Sequence, residues 1–260
     1  MLRLCCLILL LSLAIVAQVP TPKSVLGFHP TDDRTIADWT QIRDYFGKLD
    51  AASPRVRVQE FGKTTLGRPM IVAFISSEEN IRELGRYRDI NRKLADPRTI
   101  VPNGIIDEES LYLREGKTIV SISCSIHSNE IVASQMSMNL AYEMATKTDA
   151  ETAEILKNTI LLLIPSSNPD GIDIVANWYR KTLGTKSEGT VPPELYHHYA
   201  GHDNNRDWFM LNLKETQAIT KLYWQEWFPQ FRFHAHQMGQ FGPRVGIPPF
   251  HDPPDPRPPP

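Results

Sequence analysis

Two runs constrain this chain more than anything else in it: Thr118 to Ile126, rich in isoleucine, valine and serine, and Asn158 to Ile164, apolar at almost every position. A strand with one wet face alternates apolar and polar residues, whereas a continuous apolar run suits a strand buried on both faces. Such strands need helices above and below the sheet. The intervening segments supply them. Ile36, Trp39, Ile42, Phe46 and Leu49 recur at helical spacing behind the capping-type residues Thr31, Asp32 and Asp33. Val132, Met136, Leu140 and Met144 form one stripe on a predicted helix from Glu130 to Met144, a stripe read as core. Arg55 to Phe61 and Met70 to Ile75 read as a hairpin around the turn Gly62 to Pro69. Ser77 to Arg98 reads as a solvent-facing helical region, Thr148-x-x-Glu151 as a capping box, Glu215 to Trp227 as a helix and Phe231 to His236 as a strand. Strands alternating with helices predict an α/β fold, a three-layer α/β/α sandwich on a mixed, largely parallel sheet.

The N-terminus has a different character. Met1-Leu2-Arg3 is followed by an apolar stretch from Leu4 to Val16, with small residues at Ala14 and Ala17. This predicts a signal peptide over residues 1–17 and a secreted, periplasmic or extracellular protein. The run is shorter than the roughly 20 residues of a spanning helix, so no stable membrane insertion is expected after cleavage. Two of the three cysteines lie in the leader, which leaves Cys124, read as a small buried strand residue rather than a nucleophile. A formal net charge of −2, without a basic stripe, argues against nucleic acid as a partner. Residues 18–247 then form the predicted catalytic domain, and residues 248–260, dominated by proline, a tail or loop that joins neither helix nor central strand.

In open α/β sheets, sites form at the carboxyl ends of strands. Two strand ends here carry metal-binding chemistry. His127-Ser128-Asn129-Glu130 follows the first apolar run, and His234 and His236 close the last strand. Two imidazoles and a carboxylate suit a catalytic zinc ion, because three protein ligands leave a fourth position open for water whose pKa the metal lowers. His234 and His236 lie two apart and so share a face, and either could reach the ion. His29, His197, His198, His202 and His251 are read as loop or surface. Further segments stand out in order: the turn sequence Asn168-Pro169-Asp170-Gly171, then Trp178-Tyr179-Arg180-Lys181-Thr182, then Asp203-Asn204-Asn205-Arg206.

Taken in order and spacing, His127-x-x-Glu130, Asn168 to Gly171, Arg180 to Thr182, Asn205-Arg206 and His236 resemble the zinc metallocarboxypeptidase family typified by carboxypeptidase A. The resemblance spans roughly residues 35 to 245 and includes the hairpin Gly62-x-x-x-x-Gly67-Arg68-Pro69. It implies that His127, Glu130 and His236 hold one Zn2+ ion, with His234 packed behind. It implies that Arg180 stabilises the oxyanion, that Asn205 and Arg206 grip a free α-carboxylate, and that the partner is a peptide or protein C-terminus. Asn129 stands where some members carry an arginine. The family's general-base glutamate lies well beyond the third ligand, and no glutamate follows His236 here. The expectation is therefore a fragment of a longer enzyme whose own hydrolysis is weak. A deacylase of the same superfamily and a non-catalytic zinc- and carboxylate-binding relative are the alternatives.

Overall fold

The computed structural model describes residues 18–96, 98, 108–195, 197 and 201–237. The leader at 1–17, the proline-rich 248–260, His198 and His251 lie outside them. The elements in order are α1 (Pro22–Leu26), α2 (Trp39–Ala52), β1 (Val56–Lys63), β2 (Pro69–Ile75), α3 (Glu78–Arg82), α4 (Leu84–Ala95), α5 (Glu108–Glu115) and β3 (Thr118–Cys124). There follow α6 (Ile131–Thr146), α7 (Ala150–Asn158), β4 (Thr159–Ile164), α8 (Pro169–Thr182), α9 (Lys214–Lys221) and β5 (Phe231–Ala235).

The five strands form one sheet in the order β1-β2-β4-β3-β5. β1 pairs with β2 and β2 with β4 antiparallel, while β3 runs parallel to both β4 and β5. The sheet is thus mixed, with its parallel half where the candidate ligands lie. Side-chain alternation accounts for the apolar runs. On β2, Ile71, Ala73 and Ile75 enter one core with Trp39, Phe46 and Met138, while Met70, Val72 and Phe74 enter a second with Tyr87, Ile90 and Trp227. On β4, Leu161 and Leu163 face the first core and Ile160, Leu162 and Ile164 the second. Helices α2 and α6 cover one face, and α4 and α9 the other. The three layers predicted from the runs are present.

Several boundaries differ from expectation. Asn168 to Gly171 is not a free turn but the start of α8: Asn168 Oδ1 accepts from the Gly171 amide at 3.0 Å, and Pro169 occupies the first turn, where its missing N–H costs nothing. The cap of α7 is Asp149, which accepts from the Thr152 amide at 2.9 Å; the expected box from Thr148 does not form because the carboxylate one residue on serves the same donors. Helix α2 starts at Trp39, behind a capping box of Asp38 and Gln41. The Ser77–Arg98 region is half-buried: α3 and α4 send Ile81, Leu84, Tyr87 and Ile90 into the second core and leave their arginines outside. α9 is regular to Lys221, then continues as a π-helical turn over Leu222–Trp227 that ends on Phe228 at φ 48°.

The hairpin tip between β1 and β2 is held from both sides. Asp170 of α8, 2% exposed, accepts from Thr64 Oγ1 at 2.8 Å, the Leu66 amide at 2.9 Å and Arg68 NH1 at 2.8 Å. Arg68 Nε also meets Asp173 at 2.8 Å, and Glu215 of α9 accepts from the Thr65 amide at 2.7 Å. The two glycines of the motif have separate reasons. A Cβ on Gly62 would lie 2.5 Å from Ala218 Cβ, so α9 packs directly on the β1 backbone there. Gly67 sits at φ 81° in open space. Gly67→Ala is therefore expected to cost about 1–2 kcal/mol of backbone strain with no packing loss, readable as a lowered urea midpoint at unchanged m-value.

Candidate metal centre

The parallel register of β3 and β5 builds the centre. Cys124 pairs with Ala235, so the two strands end side by side and the residues that follow, His127 and His236, emerge at the same edge of the sheet. Strand β3 ends at Cys124, two residues earlier than predicted, and the chain turns sharply at Ser125, φ 48°. The turn is fixed from below. Asn168 Nδ2 donates to Ile126 O at 3.3 Å and Asn204 Nδ2 to the same carbonyl; Ser128 Oγ donates to Asn168 O at 3.1 Å; Ser125 Oγ donates to Glu130 O at 3.1 Å. Asn168 and Ser128 are buried, so the turn carrying the ligands rests on a polar floor rather than on loose loop.

His127, Glu130 and His236 offer ligand atoms that all lie within 4.8 Å of one another. Both imidazoles turn Nδ1 toward the same carboxylate: His127 Nδ1 is 3.2 Å from Glu130 Oε1, and His236 Nδ1 is 3.0 Å from Glu130 Oε2. The two rings stand 4.9 Å apart between centroids. Glu130 immediately precedes α6, and the N-terminal end of that helix favours its negative charge. Two nitrogens and one carboxylate, with His127 and Glu130 half-buried and His236 exposed, match the donor set of a catalytic zinc site, so these residues fit the ion.

Asp203 opens the segment Asp203-Asn204-Asn205-Arg206, in which only Asn205 and Arg206 carry a role expected from the sequence. Its Oδ1 lies 3.0 Å from His127 Nε2. Burial alone would raise its pKa; the Asn205 amide, His127 and Arg206 outweigh that and hold the carboxyl below its ordinary value. An anionic partner on Nε2 keeps the proton there and leaves Nδ1 free to ligate, the carboxylate–histidine arrangement that orients metal ligands. Asp203→Ala is expected to weaken zinc binding about 10–100-fold without abolishing it, measured by competition with a chelator dye.

The remaining candidates fall at different distances from this point. Asn205 and Arg206 form a 3-10 turn, Asn204–Arg206, beside the ligands. Asn205 Nδ2 is 3.5 Å from His236 Nε2 and its Oδ1 accepts from Trp208 Nε1 at 2.9 Å, while the Arg206 guanidinium donates to the Asn205 carbonyl at 3.2 Å. Arg180 is elsewhere engaged. Its guanidinium donates to Asp38 Oδ2 at 2.8 Å, to Ile36 O at 3.0 Å and to Gln41 Oε1 at 2.8 Å, at the start of α2. His234 is packed behind the ligands, 3.0 Å from Ser123 Oγ and edge-on to Trp208 and Tyr223, and burial lowers its pKa, helped by Arg232 and His236. Cys124 is buried, its thiol pushed up to about 12 by burial, which leaves it inert as a nucleophile. His197 lies in a bend and is buried beside a cavity of about 10 Å3, and His202 lies 2.9 Å from Asp207.

Asp207 organises the loop that carries Asp203 to Arg206. Fully buried, it accepts from the Leu213 amide at 2.9 Å, the Asn212 amide at 3.1 Å and Thr216 Oγ1. Burial raises its pKa, but Thr216, these amides and His202 together pull it below the ordinary value. A depressed carboxyl contributes stability that is present above the unfolded pKa of about 3.9 and is lost as pH falls through the lower folded value. The loop is expected to loosen only in strong acid, visible as late loss of Trp208 fluorescence in an acid titration.

Residues 42–234 match the zinc carboxypeptidase family. The chain belongs to that family. The match contains His127, Glu130, Arg180, Asn205 and Arg206 and stops two residues short of His236. No curated protein is significantly similar to the chain. Among solved structures, a protein of Shewanella denitrificans assigned as a carboxypeptidase A superposes with a TM-score of 0.50 at 15% identity, over 77% of this chain and 39% of that one. Carboxypeptidase A of Helicoverpa armigera superposes with a TM-score of 0.48 at 13% identity, over 84% of this chain and 52% of its own. The chain thus spans about half or less of the length of these structures.

Proposed function

We propose that this protein is a zinc-dependent metallocarboxypeptidase acting at the C-terminal bond of peptides. The observation that supports this best is the meeting of His127, Glu130 and His236 at the ends of two neighbouring parallel strands, with Asp203 behind His127. When bound, zinc would supply Lewis-acid chemistry toward the scissile carbonyl and make water acidic enough to attack near neutral pH. The chain's own residues hold the ion and place the substrate. Glu130 and both imidazoles hold the ion, and Asp203 keeps the His127 proton on Nε2. Asn205 and Arg206 receive the substrate's α-carboxylate, for which a planar guanidinium offers two parallel donors.

Arg180 takes the oxyanion role once its guanidinium leaves Asp38. Freeing it means giving up the Ile36 carbonyl and Gln41 as well, so the move costs more than the roughly 0–1 kcal/mol of an exposed ion pair. No residue of the chain is assigned as the general base, a function typically worth about 10²–10⁴-fold in rate, so turnover by the 260-residue chain is expected to be weak and substrate binding is the better readout. Zinc-loaded protein should bind a blocked dipeptide with a free C-terminus at least about tenfold more tightly than its C-terminal amide, and Arg206→Ala should erase the difference. Equal affinity for acid and amide would contradict the assignment. The leader at 1–17 makes the protein exported; the secreted product should begin near residue 18 by mass spectrometry.

A further inference from the structure

Three consecutive residues reach the ligand turn and its neighbours from one short segment. Asp203 Oδ1 lies 3.0 Å from His127 Nε2, and Asn205 Nδ2 lies 3.5 Å from His236 Nε2. Between them, Asn204 Nδ2 donates to the carbonyl of Ile126, the residue before His127. Of the three contacts only this one is buried, and Asn204 is 3% exposed. A hydrogen bond away from water is electrostatically stronger than one for which water competes.

The Asn204 amide can face only one way. A carbonyl oxygen accepts, so the NH2 group has to point at Ile126 and the amide oxygen away from it. That oxygen is buried and has no hydrogen-bond partner among the described residues. Asn204 lines a cavity of about 10 Å3 with Ile126, Ser167, Asn168 and Thr216, room for one water. A water on Oδ1 completes the amide and leaves it no second orientation.

The segment is stiff. The Arg206 amide donates to Asp203 O at 2.8 Å and the Asp207 amide to Asn204 O at 3.2 Å. The Asp207 side chain ties the far end to the Asn212 and Leu213 amides. Residues 203–207 therefore shift together, and the bond from Asn204 to Ile126 O sets where they stand against the turn that carries His127.

We propose that Asn204 is a positioning residue of the metal centre: it fixes the distance between the two turns and thereby holds Asp203 against the His127 imidazole. The proposal rests on the reading of His127, Glu130 and His236 as zinc ligands. Moving Asp203 back by about 1 Å takes its oxygen out of hydrogen-bond range of Nε2. The imidazole then loses the partner that fixes its tautomer and orientation, a loss worth about 10–100-fold in metal affinity.

The test is a double-variant cycle on the full 260-residue chain, with zinc affinity read by competition with a chelator dye. Its members are Asn204→Leu, Asp203→Ala and the two combined. Leucine branches like the amide, removes both of its polar ends and leaves Ile126 O to Asn168, so the zinc-free melting curve should move little; Asn204→Ala takes its place if the leucine variant does not fold. Asn204→Leu should weaken zinc binding about tenfold in the unaltered background and less than about twofold beside Asp203→Ala, where no carboxylate is left to hold. The absorption bands of bound cobalt should shift in Asn204→Leu, which a purely structural role would leave in place. Losses that multiply in the combined variant, or zinc affinity untouched by Asn204→Leu, overturn the role and leave the three ligands assigned. Zinc affinity that H236A does not lower removes the centre itself, and the role of Asn204 with it.

Discussion

Replacing His127, Glu130 or His236 with alanine should remove tight zinc binding altogether, a larger loss than the roughly 100-fold ceiling expected for the outer partner Asp203. The three residues are not equivalent in sequence. His127 and Glu130 lie on one turn, whereas His236 reaches them only because β3 and β5 are neighbours in register. Loss of His236 therefore tests the fold as well as the chemistry. Metal bound only by the native state stabilises it by mass action, about 4 kcal/mol when zinc stands at a thousand times its dissociation constant. For a chain of this size that corresponds to a rise in Tm of roughly 8–16 °C. The wild-type chain should show this rise on adding zinc and each alanine variant should not, while their zinc-free melting curves stay close together. The effect should shrink in acid, because protons compete with the ion for both imidazoles. Zinc-induced stabilisation of H236A equal to wild type would place the ion elsewhere.

The second large effect concerns stability and not the metal. Asp170→Ala should destabilise the protein by about 3 kcal/mol, at the lower end of the range for breaking a buried ion pair because Arg68 remains 35% exposed. Three donors converge on this one carboxylate: the Thr64 hydroxyl, the Leu66 amide and the Arg68 guanidinium. Truncation leaves the buried Thr64 hydroxyl without its acceptor, at the full desolvation penalty of such a group, while the half-exposed Leu66 amide turns to water and Arg68 keeps Asp173. Asp170→Asn keeps one acceptor oxygen and should lose less. Denaturant titration of the zinc-free proteins separates the two variants. Zinc affinity should be the same in both wherever they are folded, since Asp170 acts on the hairpin tip.

The layered fold could be read from the sequence because its cause is local. Leu161, Leu162, Leu163 and Ile164 are apolar in succession, and only a strand with a core on each side can bury them all. The candidate ligands were legible in part: residue types and strand ends are local facts, but they left His234 and His236 open, and the resemblance chose between them. Asp203 was not. An aspartate in a polar loop has no signature of its own, and only folding brings it to His127 across 76 positions of chain. The same holds for Arg180. Its aromatic neighbours drew attention to it, but nothing in Trp178-Tyr179-Arg180 predicts that α8 runs on to Thr182 and delivers the guanidinium to Asp38. The α6 stripe was misjudged in part because periodicity gives the face of a helix and not what covers it. Met136, Leu140 and Met144 pack partly against the first core, while Val132, two residues past Glu130, is left open.

X-ray absorption at the zinc edge on the full chain loaded with one equivalent of zinc tests the central claim most directly. The account predicts a first shell of nitrogen and oxygen only, with two imidazoles contributing, and the loss of one imidazole in H236A. A sulfur neighbour, or a shell unchanged by H236A, would contradict it.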